Sequence, residues 1–366
     1  MTQPESAVIR KRKTTRKLLL GGVPIGGGSP VSVQSMTKTD TRDVAATVRQ
    51  IRSLERAGCE IIRLAVPDMD AAKALGAIKR RVGIPMVADI HFDWRLALEA
   101  LRQGVDGLRI NPGNIGADWK LRELVAALRD RPVPVRVGVN AGSLGKDLLK
   151  KYGHPSAEAL VESAERHIGL LEEMGYSNIK VSLKASGVIP TVEAYRLFSK
   201  KHRYPLHVGI TEAGPLFQGL IKSSMGLGMI FGQGIGDTVR VSLTAKPVEE
   251  VRAAYEILRS LRLRQRGVEI VSCPTCGRTC VDLKGLVGKV EARLKRISEP
   301  VTVAVMGCVV NGPGEAREAD FGIASGKGEG MIFRRGRVVS RVKESELVDE
   351  LVRTIEGETK HREKRR

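Results

Sequence analysis

Four of the five cysteines lie near the C-terminal end of the chain, in two short loops rich in glycine. Cys273 and Cys276 are separated by two residues, Cys280 follows them, and Cys308 lies in the second loop. A two-residue gap lets two thiolates reach one metal from a single turn, and a thiolate from a distant loop can join them. The spacing therefore predicts a site for zinc or for an iron–sulfur cluster.

Two residues compete for the fourth position at this site. Cys280 would complete an all-thiolate set, which is typical of structural zinc. Glu315 follows a Gly-Pro-Gly turn after Cys308 and would bring an exchangeable oxygen ligand, which leaves one metal available to a substrate. The gap order among the first three cysteines is the reverse of the radical S-adenosylmethionine order, which disfavours that class. Cys59 lies between a predicted helix and strand, and we expect it in the core.

A second group of polar side chains lies at the ends of short apolar runs. Five cations converging on one place would repel each other unless an anion were bound, and guanidinium groups suit phosphate oxygens. A diphosphate fits better than a monophosphate, because Asp89 and Glu212 cancel only part of the charge. Glu212 is a candidate general acid, or it merely orients Lys184 or Arg240. The group is Ser35, Arg63, Asp89, His91, Arg109, Asn111, Asn114, Arg136, Asn140, Lys184, Glu212, Arg240 and Ser242.

The elements that must position these side chains alternate between strand-like and helix-like patterns. Eight βα units in this length predict a (β/α)8 TIM-type barrel over residues 21–264, with the active site at the carboxyl ends of the strands. An open doubly wound sheet is the runner-up, but no Gly-x-Gly-x-x-Gly lies between a strand and a helix. The strand candidates are residues 31–36, 60–66, 85–90, 107–111, 133–140, 178–186, 205–213 and 237–244, and helix candidates include 45–57, 94–103, 158–174 and 248–264.

The pattern changes after Arg264 to a small α+β module at residues 265–357, which carries the cysteine loops. We expect a helix at 283–297, a strand at 301–306, a hairpin turning near residues 335–336 and a closing helix from Glu344. Residues 1–20 and 358–366 are rich in Lys and Arg, and they are expected to be solvated tails.

Composition excludes several classes of protein. No apolar run approaches the length of a membrane span, and the basic N-terminal segment has no secretory apolar region, so a cytoplasmic protein with free thiols is expected. The formal net charge of +20 indicates an anionic partner and favours an acidic electron donor. Aromatic residues make up only 4%, which disfavours single-stranded nucleic acid as the main ligand.

The chain resembles the bacterial 4-hydroxy-3-methylbut-2-enyl diphosphate synthases of the non-mevalonate isoprenoid pathway, from about residue 21 to residue 356. The motifs that carry the resemblance are VQSMT at residues 33–37, LRINPGN at 108–114, VSLKAS at 181–186, TEAG at 211–214, CPTCGR at 273–278 and NGPGE at 311–315. The resemblance implies a reductive two-electron opening of 2-C-methyl-D-erythritol 2,4-cyclodiphosphate with loss of water. It also implies a flavodoxin or ferredoxin as electron donor.

The resemblance further implies a [4Fe–4S] cluster held by Cys273, Cys276, Cys308 and Glu315, with Cys280 as a bystander. The substrate pocket that it implies is Arg63, Arg109, Arg136, Asn140, Lys184, Glu212, Arg240 and Ser242. Glu315 is expected to move aside for substrate, and Glu212 to protonate during the reduction.

The connection between the two predicted domains is short. The eighth helix runs back toward the floor of the barrel, and the segment 265–271 cannot wrap around its side. We therefore expect a homodimer in which each cluster module caps the barrel of the other chain, as the resemblance also implies.

Two other readings use part of the same pattern. A pterin-dependent methyl-transfer barrel explains the anionic pocket but gives the cysteines no role. A zinc-ribbon nucleic-acid-binding protein uses the charge and the cysteines but not the polar residues at the strand ends.

Overall fold

The computed structural model describes residues 9–279, 281–308, 314, 316–326 and 328–363. The chain forms two compact units, which divide between Arg264 and Gln265. Within the described ranges, no helix is long and apolar enough to cross a bilayer.

The first unit is a (β/α)8 barrel, which confirms the predicted fold. Its strands, after a hairpin of β1 (Leu18–Leu20) and β2 (Val23–Ile25), are β3 (Ser32–Met36), β4 (Ile61–Ala65), β5 (Met86–Asp89), β6 (Gly107–Ile110), β7 (Val135–Asn140), β8 (Ile179–Lys184), β9 (His207–Val208) and β10 (Thr238–Val239). The parallel strands follow the order β8-β7-β6-β5-β4-β3-β10-β9. Their outward side chains pack against the helices in one core.

The helices of this unit alternate with the strands. Aspartate or serine caps several of them, as when Asp43 accepts a hydrogen bond from the Ala46 N–H, and Gly58 ends the first helix with φ 101°. They are α1 (Val44–Ala57), α2 (Met69–Lys79), α3 (Trp94–Arg102), α4 (Pro112–Ile115), α5 (Asp118–Asp130), α6 (Lys146–Tyr152), α7 (Ala157–Glu173), α8 (Val188–Lys201), α9 (Leu216–Gly232) and α10 (Pro247–Ser260).

The last two barrel strands are much shorter than the sequence predicted. Each contributes two residues to the ladder. Pro205 cannot donate a ladder hydrogen bond, and the Leu206 N–H donates to the Asp237 carboxylate at 2.9 Å instead of to a strand.

A side chain helps to close the seam between β8 and β9. The backbone contact there is an isolated bridge between Val181 and Leu206. The buried Tyr195 hydroxyl of α8 accepts from the Leu183 N–H at 3.2 Å and donates to the His207 carbonyl at 2.6 Å. The phenol thus joins the two strands where the ladder is thin.

The N-terminal segment differs from the predicted solvated tail. Arg10 and Lys13 donate backbone hydrogen bonds to Gly232 and Gly234, and the Arg12 guanidinium pairs with Asp237 at 2.9 Å. The hairpin β1–β2 then packs apolar side chains against Ile61 and Val87 at the amino ends of the strands. These contacts attach the described basic residues to the floor of the barrel.

In the part of the second unit that the structure describes, a five-stranded mixed sheet packs with two long helices. Strands β11 (Val268–Ser272), β12 (Val301–Met306) and β13 (Phe321–Ser325) run parallel, and β14 (Glu329–Arg334) and β15 (Arg337–Lys343) extend the sheet as an antiparallel hairpin. Helices α11 (Leu283–Leu294) and α12 (Leu347–Glu363) pack on a core of aliphatic residues that includes Val290, Val303 and Leu351.

Two predictions for this unit need correction. Strand β11 occupies residues that were expected to form the linker, because it pairs with β12 in register from Val268 to Ser272. The closing helix continues past residue 357 to Glu363, so the start of the predicted basic tail is helical, and Glu358 forms an ion pair with Arg334. The hairpin turn near Arg335 and Gly336 is confirmed, and both residues have positive φ.

Candidate active site

Charged side chains converge at the carboxyl end of the barrel. Successive parallel strands place Asp89, Arg109 and Arg136 beside one another in register, and Lys184 beside Asn140. Arg63, Asp89, Arg109, Arg136 and Lys184 are each less than a tenth exposed. The predicted ring of cations therefore exists as a buried cluster at the mouth.

Asp89 is the acidic centre of this cluster. Its carboxylate lies 3.1 Å from Arg109 Nη1 and 3.4 Å from Arg63 Nε. Burial alone opposes ionisation, but Arg63, a hydrogen bond from His91 and Arg109 together hold the pKa of Asp89 well below its usual range. One carboxylate thus offsets only part of the charge of its neighbours.

The remaining cations are held close together with little compensation. Burial lowers the pKa of Arg63 to about 10, against the attraction of Asp89. Burial and the neighbouring Arg136 and Arg240 lower the pKa of Lys184 well below its usual range. Such a group gains stability when a multiply charged anion binds, so the mouth is suited to a ligand with several negative charges.

Two glycines allow this crowding. A Cβ on Gly138 would lie 2.8 Å from Arg109 Nε, and a Cβ on Gly209 would lie 2.9 Å from Lys184 Nζ and 2.3 Å from the Arg240 carbonyl oxygen. Larger residues at these positions would displace the cations from the mouth.

The other predicted pocket residues occupy varied positions. Asn111 is buried, and its Oδ1 has no hydrogen-bond partner in the described part of the chain. Asn114, Asn140, Arg240 and Ser242 are partly buried, and His91 is exposed. Ser35 is a correction: it is on the same face of β3 as Val31 and Val33, toward the helices, and its backbone contacts the Cys59 thiol.

Glu212 is exposed rather than enclosed as the sequence suggested. Its backbone has φ 51°, a left-handed conformation that is uncommon outside glycine. The barrel alone therefore does not enclose this carboxylate.

Sequence reasoning missed Glu250, Lys180 and His207. Glu250, in the first turn of α10, is buried and accepts from the Leu243 N–H at 3.0 Å, and it lies 3.2 Å from Lys38 and 3.7 Å from Arg240. A glutamate in the first turn of a helix is usually solvated, so its position in the sequence does not predict that it is buried. Lys180 could have been found, because it shares with Ser182 and Lys184 the inward alternation of β8.

The cysteine loops follow two neighbouring strands of the second unit. Cys273 follows β11 and Cys308 lies beyond β12, and the Gly307 N–H donates to Cys273 Sγ at 3.5 Å. Hydrogen bonds from the backbone and the guanidinium of Arg278 lower the pKa of Cys276, and Arg278 is also within electrostatic range of Cys308. Cys59 is buried in the barrel core, as predicted, and burial raises its pKa to about 12.

These loops fit a metal–thiolate site in chemistry. Arg278 interacts with Cys276 and with Cys308, and a nearby cation favours the thiolate, which is the form that binds metal. Within the described residues, no three His, Cys, Asp or Glu side chains are grouped as ready metal ligands. Glu315 and Cys280, the two candidates for the fourth position, lie outside the described residues.

The fold and these two sites define a class: a barrel with a cationic mouth, followed by a small α+β module that presents three cysteines. The chain belongs to the GcpE family. Residues 15–255 match the GcpE TIM-barrel domain, and residues 269–357 match the GcpE protein C-terminal domain.

Curated relatives match nearly the whole chain. A protein of Thermodesulfovibrio yellowstonii is 64% identical over 345 residues, which cover 94% of this chain and 99% of the relative. A protein of Geobacter sulfurreducens is 61% identical over 342 residues, which cover 93% of this chain and 97% of the relative. Both are named 4-hydroxy-3-methylbut-2-en-1-yl diphosphate synthase (flavodoxin).

Solved structures with a similar barrel share little sequence with the chain. The dihydropteroate synthase of Stenotrophomonas maltophilia has a TM-score of 0.51 at 13% identity, and covers 68% of this chain and 97% of its own. That of Yersinia pestis has a TM-score of 0.50 at 13% identity, and covers 68% of this chain and 100% of its own. At this identity the likeness shows the barrel fold alone, and it lends no weight to a pterin substrate.

Proposed function

We propose that the chain is a flavodoxin-dependent 4-hydroxy-3-methylbut-2-en-1-yl diphosphate synthase. It opens 2-C-methyl-D-erythritol 2,4-cyclodiphosphate by a two-electron reduction with loss of water. The observation that carries the proposal is the pairing, in one chain, of a buried cationic mouth with a three-cysteine module. Neither the zinc-ribbon nor the pterin alternative accounts for both features.

The mouth binds the diphosphate. Arg63, Arg109, Arg136, Lys184 and Arg240 supply the positive charge, and Asp89 orients the first two of these arginines. Fixed guanidinium groups hold the two phosphates without reorganisation, which orients the cyclodiphosphate ring and its carbon chain for reduction. His91, Asn111, Asn140 and Ser242 add hydrogen-bonding groups at the rim.

Glu212 supplies a proton to the organic part of the substrate. It follows β9 on the same side of the barrel as Lys184, and its left-handed backbone fixes where the side chain begins. A carboxylic acid at this position becomes an effective donor once a second surface covers the mouth and excludes water.

Cys273, Cys276, Cys308 and Glu315 would hold a [4Fe–4S] cluster. Such a cluster, when bound, supplies electrons singly to the reduction. Arg278 favours the thiolate form of Cys276, and the Gly307 N–H donates to the Cys273 sulfur. Hydrogen bonds and positive charge at the sulfurs raise the reduction potential of a cluster. A basic protein of net charge +20 also suits an acidic flavodoxin or ferredoxin as donor in the cytoplasm.

The working unit is a homodimer in which each cluster module caps the barrel of the other chain. Arg264, at the end of the barrel unit, donates to the Val31 carbonyl at 2.9 Å and pairs with Glu60 at 2.8 Å, both at the floor. Strand β11 begins at Val268, so residues 265–267 span at most about 11 Å, whereas the mouth is at the opposite end of the barrel. The short connection favours a mouth that is completed by a second copy.

Helix α9 provides an apolar surface that fits this dimer. Phe217, Ile221, Met225 and Met229 recur every four residues on one face of the helix, and Phe217 is 76% exposed. An exposed apolar stripe of this length is typical of a protein–protein interface. In the proposed homodimer, a second copy of this chain covers it.

Anaerobic purification and assay test the proposed function. A brown protein with broad absorbance near 400 nm, which bleaches on reduction and converts the cyclodiphosphate when supplied with reduced flavodoxin, supports it. A colourless protein with one stoichiometric zinc and no turnover would contradict it and favour the zinc ribbon.

A further inference from the structure

Lys180 is a buried lysine that the proposed function does not use. Its side chain is 1% exposed, and Nζ has no hydrogen-bond partner among the residues that the structure describes. Ile179, Val181 and Leu183 on the same strand pack toward the helices, so Lys180 shares the inward face with Lys184. A buried ammonium without a partner is strongly disfavoured, so this position requires an explanation.

The immediate neighbours of Lys180 are basic. Arg136 is its register partner on β7, and Arg63 on β4 and His207 on β9 are within electrostatic range. Asp89 on β5 is already engaged in ion pairs with arginines. The other titratable groups around the barrel interior are Arg109, Lys184, Tyr195, Arg240 and Glu250.

The members of this cluster differ in what they can do when no anion is present. A guanidinium stays protonated in a protein, so the arginines keep their charge whether or not the mouth is filled. A lysine amine deprotonates readily when it is buried among like charges. Lys180 can therefore remove one positive charge from an empty barrel, which its arginine neighbours cannot do.

We infer that Lys180 is a substrate-linked proton acceptor: its amine is neutral in the empty barrel and takes up one proton from solvent when a diphosphate occupies the mouth. The inference rests on the proposed function, because it assumes a multiply charged phosphate ligand there. Lys180 acts through charge and does not touch the substrate, so it is a positioning residue. Its ammonium stabilises the bound anion from beneath.

The electrostatics of the empty barrel agree with this role. Burial, then Arg136 and Arg63, lower the pKa of Lys180 to about 7. Above that pH the free amine is largely neutral, and an anion above it raises the pKa again. Proton uptake on binding then makes affinity fall as the pH rises between the free and the bound pKa.

Calorimetry of the oxidised holoenzyme with the cyclodiphosphate tests the inference. Binding is measured at pH 8 in buffers of different ionisation enthalpy, which gives the number of protons taken up. We expect Lys180→Met to take up roughly half a proton or more fewer than the parent chain. We also expect about tenfold weaker binding at pH 7, with the difference narrowing above about pH 9.

Lys73→Met is the matched control, because Lys73 is exposed on α2, outside the barrel interior. Equal proton uptake by Lys180→Met and the parent chain, with binding retained, would overturn the inference and leave the proposed function standing. Failure of the parent chain to bind the cyclodiphosphate would overturn both.

A second measurement keeps the inference testable if Lys180→Met does not fold. The parent chain, labelled with ¹³Cε-lysine, is titrated by NMR with and without the cyclodiphosphate. We expect the signal assigned to Lys180, as distinct from that of Lys184, to titrate near neutral pH in the free chain and at higher pH in the complex. If the Lys180 signal does not behave in this way, the inference is wrong.

Discussion

The charged side chains of the barrel mouth lie on successive strands, whereas the thiols of the second unit lie in the two cysteine loops that follow β11 and β12. At the mouth, Arg109, Arg136 and Lys184 are buried, and their register fixes their spacing. In the loop, Cys276 is exposed and the backbone at Thr275 is left-handed. Strand register therefore fixes the spacing of the cations at the mouth, whereas the position of Cys276 is set by an exposed turn.

The two sites select their ligands by different chemistry. The mouth concentrates positive charge that is stabilised only by an anion, so it selects by charge. The loop presents soft thiols beside one arginine, so it selects by metal chemistry. If the two sites are built independently, each should fail without disabling the other.

Cys276→Ser should have the largest effect. Loss of one thiolate should remove the brown colour and lower turnover at least about a thousandfold, because electrons can no longer reach the substrate. The affinity of the barrel for the cyclodiphosphate, measured by calorimetry, should change by less than about threefold. Cys59→Ala is the control, since Cys59 lies in the barrel core, and it should keep its colour and turnover. Loss of substrate affinity in Cys276→Ser would show that the sites are not independent.

Glu212→Gln should have the next largest effect, on the barrel side. We expect an unchanged cluster spectrum with turnover lowered at least about a hundredfold, as is usual when a general acid is removed. Glu123→Gln, at an exposed position on α5, is the matched control and should retain full turnover. Near-normal turnover of Glu212→Gln would end the assignment of this residue as the proton donor.

Mixing the two inactive variants tests whether the mouth and the cysteine module of one active site come from different chains. In a dimer where one chain's module caps the other chain's barrel, Cys276→Ser and Glu212→Gln together form one intact site per mixed dimer. Random mixing should therefore restore about a quarter of the parent turnover. No recovery after exchange of chains, verified by native mass spectrometry, would mean that each active site lies within one chain.

Much of the barrel could be predicted because its signals are local. Apolar runs and capped helices recur along residues 31–264, and the eight strands follow them. The hairpin β1–β2 was missed because each strand has three residues, too few for a period to emerge. The packing of Arg10 and Arg12 on the floor depends on partners more than 200 residues away, which local patterns do not reveal.

The residues of the candidate site also divide into those that local patterns predict and those whose environment depends on the folded chain. The strand-end residues were predictable, because a barrel brings the carboxyl ends of its strands together. The burial of Glu250 depends on Lys38 and on the Leu243 N–H, contacts that only the folded chain creates. The exposure of Glu212 was not predictable, because the TEAG motif does not indicate whether other residues bury this side chain.

The Tyr195 hydroxyl links two neighbouring strands of the barrel by hydrogen bonds. It holds the Leu183 amide and the His207 carbonyl together across the thinnest part of the ring, one residue before Lys184. Burial raises the pKa of this phenol, so the Tyr195 hydroxyl stays protonated and can donate its hydrogen bond across the physiological pH range. Together with the backbone bridge between Val181 and Leu206, this one oxygen atom fixes the spacing of β8 and β9, and with it the circumference of the barrel at this seam.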